Sequence, residues 1–337
     1  MYWLDFSYSV RPKMGILGTP PSEASSALSN YCPINGGPFM GQLRFVLSLI
    51  TEENDYQREQ AKAAEEAARI LKVDLQILYS NNDSVTQSSQ ILDALHTYKG
   101  ALHGILVEPA GGTEFPQIGR AVVNAGIAWV VLNRDASSLK GIRGPVTPAF
   151  AVSANHTEVG RIQARQLSAL LPSGGAVLCI QGPSSTLAAR DRMAGLLEAK
   201  AENLMLKVIR CSNWTEEAGH HAVASWLRLS TSRLEQIHVV AAQNDSLAMG
   251  GRKALLALSG KHWANVPFLG VDGLAGTGCA WVREGLLTAT VIVPPVAGSA
   301  LQTAVSSILK KSQPHDLHLI PANSFPALEA LRAVHVG

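Results

Sequence analysis

An alternation along the chain constrains its fold more than any other feature. Short runs rich in Val, Ile and Leu recur roughly every 25–30 residues, each followed by a longer stretch of strong helix formers. The runs are Phe45–Ile50, Asp74–Tyr79, Gly104–Val107, Ala128–Leu132, Ala176–Ile180, Leu206–Ile209, Ile237–Ala241, Pro267–Val271 and Thr288–Val293. Such runs, rich in Val, Ile and Leu, are the sign of parallel strands covered by helices on both faces. The intervening stretches, such as Glu59–Lys72 (EQAKAAEEAARILK) and Glu158–Leu171, read as helices. Strand–helix alternation of this length means βαβ units and an α/β fold with doubly wound sheets. The strands are too many for one sheet of this kind, and two lobes of four to six strands are the natural division. The length of 337 residues points the same way, because single cores stop growing near that size.

Composition narrows the class. Apolar residues make up 47% and charged residues 16%, with a net charge of +2. That balance is ordinary for a globular protein and gives no electrostatic case for nucleic acid or an anionic membrane. No run reaches the 18 or so apolar residues of a membrane-spanning helix. Cys32, Cys179, Cys211 and Cys279 form no CxxC pair, so neither a disulfide framework nor a zinc site is expected. His220 and His221 read as solvated helix residues rather than metal ligands. Residues 1–42 are rich in Ser, Pro and Gly, lack a basic start followed by an apolar run, and read as a poorly ordered extension.

The polar residues cluster in one kind of place. Each group directly follows an apolar run: Glu52-Glu53-Asn54-Asp55, Ser80-Asn81-Asn82-Asp83, Glu108-Pro109, Asn133-Arg134-Asp135, Gly182-Pro183-Ser184-Ser185, Ser212-Asn213-Trp214, Gln243-Asn244-Asp245 and Asp272-Gly273. In open α/β sheets the ligand crevice lies outside the C-terminal ends of the strands, so these groups should converge. The alternative is that Asn, Asp, Ser and Gly there are turn residues and helix N-caps. Arg134, Arg190 and Trp214 are not turn residues and favour the crevice.

Five segments carry a family resemblance: Val130–Asp135 (VVLNRD), Ser185–Gly195 (STLAARDRMAG), Ser212–Ala218 (SNWTEEA), Val240–Gly250 (VAAQNDSLAMG) and Leu269–Gly273 (LGVDG). In this order and spacing the chain, from about Leu43 to Ile320, resembles the ribose-type periplasmic binding proteins. It is similar as well to the sensor cores of lactose-repressor-type regulators. The resemblance implies two similar Rossmann-like lobes with parallel sheets flanked by helices, joined by a three-crossing hinge. Lobe one would comprise 43–153 plus 294–320, and lobe two 154–293 plus 321–337. The ligand positions it implies are Asn54, Tyr56, Glu108, Asn133 and Arg134 in lobe one, and Arg190, Trp214, Asn244 and Asp272 in lobe two. The chain departs from the pentose-binding pattern at Asn133, Glu108-Pro109 and Val293, which bears on which ligand is bound.

The implied function is a solute receptor that closes on a monosaccharide-like ligand and does no chemistry, working as a monomer outside the cytoplasmic membrane with a transporter permease or a sensor kinase. A carboxylate such as Asp272 would accept hydroxyl protons, arginines would donate in fixed forks, amides would do both, and Trp214 would cover a C–H face. A nucleoside, a polyol or a signal furanose is the alternative ligand. No cofactor is expected: the sequence contains no GxxxxGK[ST], GxSxG, HExxH or GxGxxG after the first strand, which also weighs against an enzyme. Residues 1–42 are too short and too poor in Lys and Arg for a helix-turn-helix.

Overall fold

The computed structural model describes residues 42–110, 115–229, 236–259 and 265–333. The extension read at 1–42 lies, but for Gln42, outside the described residues, as does Cys32. Gly41–Gly337 form one compact unit.

The first sheet is built from β1 (Arg44–Leu49), β2 (Asp74–Tyr79), β3 (Gly104–Val107), β4 (Ala128–Leu132), β5 (Ala149–Ala154) and, much later, β11 (Leu317–Ile320). Their order is β11-β5-β4-β3-β1-β2, and all the pairings are parallel. Helices α1 (Asp55–Leu71), α2 (Ser84–Thr97), α3 (Phe115–Asn124) and α9 (Ala297–Lys310) accompany it. Because side chains alternate across a strand, Phe45, Leu47 and Leu49 of β1 enter one apolar cluster with α1 and α9. Val46 of the same strand enters a second cluster, with Ile91 of α2 and Val122 of α3.

The second sheet repeats this plan. Its strands are β6 (Gly175–Gln181), β7 (Leu204–Arg210), β8 (Val239–Ala242), β9 (Phe268–Asp272), β10 (Ala289–Ile292) and the short β12 (Asn323–Phe325), in the order β12-β10-β9-β8-β6-β7. Only β12 runs antiparallel to its neighbour. The accompanying helices are α4 (His156–Leu170), α5 (Leu187–Ala199), α6 (Glu216–Leu227), α7 (Asp245–Ser259), α8 (Gly278–Arg283) and α10 (Leu328–Ala333). Strands β5, β11 and β12 were not among the apolar runs of the sequence. β5 reads AFAVSA: it is wholly buried, but its small side chains give it no bulky Val/Ile/Leu signature.

The chain passes between the sheets three times: from β5 into α4, from β10 into α9, and from β11 into β12. Residues at each passage, Ala154, Val293 and Ala322, join Val159, Ile162, Val271 and Val291 in one apolar cluster, with Tyr56 packed against it. Cys179, Cys211 and Cys279 are buried free thiols, and burial pushes them up to about 12, 11 and 11 respectively, so they behave as apolar fillers.

Two helix pairs of the second lobe meet through reciprocal glycines. A Cβ on Gly160 of α4 would lie 2.0 Å from the Arg192 carbonyl oxygen, and one on Gly195 of α5 would lie 1.9 Å from that of Thr157. Backbones so close leave no room for a methyl group and offer little flexible side chain to yield. We expect Gly195→Ala to lower stability by about 1–3 kcal/mol or more, read as a drop in the chemical denaturation midpoint at unchanged m-value. A substitution without effect would mean the two helices can slide apart freely.

Candidate functional site

At the strand tips, many polar residues serve the backbone. Asn54 accepts from Gln57 N at the start of α1, and Asp83 accepts from the backbone N–H groups of Val85 and Thr86 at the start of α2. Asn155, Thr186 and Thr215 open α4, α5 and α6 in the same way. Asn244 is 2% exposed; its Oδ1 accepts from Leu247 N at 2.8 Å and its Nδ2 donates to the Trp214 carbonyl at 2.9 Å. The N-cap alternative therefore describes Asn54 and Asn244, because satisfying orphan N–H groups at a helix start is what such side chains do best.

The remaining polar residues face one another between the lobes. On the first-lobe side, Glu108 leaves β3 buried at 6% exposure. Its Oε1 accepts from Asn133 Nδ2 at 2.9 Å and its Oε2 from Gln60 Nε2 at 3.3 Å. Gln60 is itself fixed by Ala297 N, which donates to its Oε1 at 2.8 Å. Asn133, after β4, has a left-handed backbone with φ 53°, a conformation Asn tolerates better than most residues. The Asn133 Oδ1 is buried with no hydrogen-bond partner among the described residues. Arg134 does not pair with Asp135. It donates to the carbonyls of Pro109 (2.7 Å) and Asn133 (3.2 Å), and burial lowers its pKa, with Glu108 opposing and Arg190 reinforcing the shift.

On the second-lobe side, two arginines of one helix differ in burial. Arg190 is exposed and shares a shallow hollow with Arg134, Ser137, Ser138 and Ser185. Arg192, two positions on, is buried at 6% exposure. It donates to the Gln243 carbonyl and to Asp272 Oδ1 at 3.4 Å, and its guanidinium lies 5.6 Å from the Trp214 ring centroid. Its Nε has no hydrogen-bond partner among the described residues. In an Arg-Asp-Arg run only helix phase separates the inward side chain from the outward one, and that phase depends on where Thr186 starts the helix. The half-buried Trp214 ring lies over Gly182, where a Cβ would come within 2.3 Å of it.

Asp272 closes β9 at φ 106°, strained for a residue with a side chain and sustained by its surroundings. The next residue, Gly273, donates its N–H to Asp245 Oδ2 at 2.7 Å, and Asp245 Oδ1 accepts from Thr290 Oγ1 at 2.6 Å. Burial, reinforced by Asp272, holds Asp245 well above the usual carboxylate range. Burial also pushes Asp272 up to about 6, against the pull of Arg192. Tyr56 spans the divide: from α1 its hydroxyl donates to the Pro294 carbonyl at 3.2 Å, at the second passage. Its acidity is suppressed by burial first, then by Glu108 and Asp272, with Arg192 opposing. One phenol thus feels carboxylates from both lobes.

These contacts generate a discriminating pair of variants. Arg192→Met strands a buried carboxylate, and we expect a loss of about 2–4 kcal/mol of stability at pH 8. Arg190→Ala, on an exposed side chain, should stay within about 0.5 kcal/mol of the parent. Urea denaturation of both checks the ordering, and the reverse order would show that the Arg192–Asp272 contact does not support the fold.

The family model described as "Periplasmic binding protein domain" matches residues 45–312. A Rhizobium meliloti protein named for rhizopine binding is 28% identical over 204 residues, 59% of this chain. That match spans 62% of the relative's length. The ribose import binding protein of Salmonella typhimurium is 25% identical over 289 residues, covering 83% of this chain and 91% of the relative. Among solved structures, a periplasmic solute binding protein of an ABC transporter from Actinobacillus succinogenes, with bound D-allose, superposes with a TM-score of 0.74 at 19% identity. It covers 87% of this chain and 100% of that one. Membership of the matched family implies an extracytoplasmic location. The chain belongs to the periplasmic binding protein family, whose members bind solutes rather than transform them.

Proposed function

We propose that the protein closes on a monosaccharide-like ligand and presents it, as a monomer, to an ABC-type sugar transporter. The observation that carries this reading is the set of buried and half-buried polar and aromatic groups on the two facing walls. Glu108, Asn133 and Tyr56 come from the first lobe, and Arg192, Asp272 and Trp214 from the second, with Tyr56 in the field of both carboxylates. A sugar hydroxyl donates and accepts at once, so it suits a wall that mixes carboxylate, amide and guanidinium. Asn133 Oδ1 and Arg192 Nε offer an acceptor and a donor without hydrogen-bond partners among the described residues. Trp214 supplies the flat face for the ring's C–H side. Arg134 closes the first-lobe wall beside Asn133. Asn54 and Asn244 act by shaping the helix starts rather than by touching the ligand, and Arg192 takes the role the sequence assigned to Arg190.

Only a closed arrangement lets one small ligand touch both walls, so binding draws the lobes together about the three passages. The closed shape is what a membrane partner reads. The import function of the Salmonella relative and the D-allose bound to the Actinobacillus structure support a sugar and a transporter. The fructose-binding periplasmic domain of a two-component system, with a TM-score of 0.71 and 18% identity, is the parallel for a sensor partner. A cyclic polyol is the second ligand reading, supported by a Bacillus halodurans structure with bound myo-inositol at a TM-score of 0.71 and 20% identity.

A thermal-shift and calorimetric screen of pentoses, hexoses, inositols and nucleosides tests the reading; binding of none of them would end it. For the best ligand, Asp272→Ala should cost about 2–4 kcal/mol, or roughly 30- to 700-fold in Kd. The pH dependence has a definite sign. Asp272 accepts from hydroxyls through both oxygens, and most strongly, when ionised, and it ionises around pH 6. Lowering the pH from 7.5 to 5 should therefore raise Kd by about tenfold. Asp272→Asn should flatten that profile.

A further inference from the structure

His156 stands where the chain first leaves the first sheet. Strand β5 ends at Ala154, Asn155 caps the next helix, and His156 is the first residue of α4. It is 5% exposed, and neither Nδ1 nor Nε2 has a hydrogen-bond partner among the described residues. A buried imidazole with both nitrogens idle is costly to the fold, since each polar atom has given up water for nothing. Burial, then the charges of Arg192 and Arg134, hold its pKa well below the usual histidine value. The helix N-terminus opposes protonation too. The ring is therefore neutral, with one nitrogen a donor and the other an acceptor. The two arginines that influence it come from opposite walls of the cleft, and Arg192 Nε and Asn133 Oδ1 are likewise buried and unpaired.

We propose that His156 is a ligand-binding residue, contributing one donor and one acceptor to hydroxyls of a neutral polyhydroxylated ligand at the first passage between the lobes. The inference rests on the sugar-receptor reading and sharpens it. A neutral imidazole adds no charge for a carboxylate or a phosphate, but matches hydroxyls, which donate and accept alike. Because it sits at the passage itself, its contact with the ligand would form on the axis of closure.

The experiment compares the wild type with His156→Leu and His156→Gln by calorimetry, using the sugar and polyol panel, and by thermal melting without ligand. Leu removes both nitrogens and keeps an apolar side chain, whereas Gln keeps a donor and an acceptor. The expected result is a Kd at least tenfold weaker in His156→Leu, substantial recovery in His156→Gln, and a ligand-free Tm for His156→Leu equal to or above that of the wild type. Unchanged affinity in His156→Leu overturns the assignment while leaving the receptor reading intact. A ligand-free Tm for His156→Leu several degrees below the wild type also overturns it, by showing that the ring nitrogens serve the fold. A wild type that binds nothing in the panel sinks the receptor reading, and the His156 inference with it.

Discussion

The apolar cluster at the passages between the lobes is the constraint on which the arrangement depends. Ala154, Val293 and Ala322 belong to three separate crossings, yet they pack together with Val271 and Val291 from the strands beside them. Fixing these segments against one another aligns the two sheets so that their C-terminal strand ends face the same space. Tyr56 adds a polar stitch to this packing through its hydrogen bond to Pro294. The side chains are small, which suits a place where backbone segments must lie close and still change angle. The polar walls need only project from strand tips that this cluster has already brought into register.

The second lobe adds a rigidly determined polar frame. Asp245, whose pKa burial raises well above the usual carboxylate range, is enclosed by glycines. A Cβ at Gly270 or Gly278 would come within 2.0 Å of its oxygens. Its contacts with Gly273 and Thr290 hold the strained turn that aims Asp272. Gln243 accepts from Gly182 N and donates to the Ala189 carbonyl, tying the loop under Trp214 to the helix that bears Arg192. The groups on this wall are thus set by second partners rather than by the ligand, which is what preorganisation requires.

Much of this was legible in the sequence, for identifiable reasons. The strands that announced themselves are rich in branched apolar residues, and the central ones, such as β3, β4 and β8, are buried on both faces. β5 is equally buried but made largely of Ala and Ser, and β11 and β12 are short edge strands, so none carries that signature. The location of polar residues at strand tips was legible because topology dictates it. Their division of labour was not. An Asn at a strand tip can cap a helix, as Asn54 and Asn244 do, or face the cleft, as Asn133 does, and the difference lies in backbone angle and neighbours. Which of Arg190 and Arg192 is buried turned on helix phase. His156 gave no signal, because a lone histidine beside a helix start is usually unremarkable and only burial without a partner sets it apart.

The glycine-mediated seam between α4 and α5 has a consequence for how ligand preference can change over time. Because those backbones touch, the helix carrying Arg192 and the helix beginning at His156 form one inflexible block. Repositioning either side chain by backbone adjustment would break the seam. On the opposite wall Glu108 and Asn133 hold each other through a side-chain amide and a carboxylate, both exchangeable. New specificities in descendants of this chain should therefore arise chiefly by side-chain replacement on the first-lobe wall, with the second lobe inherited as a fixed half of the mould.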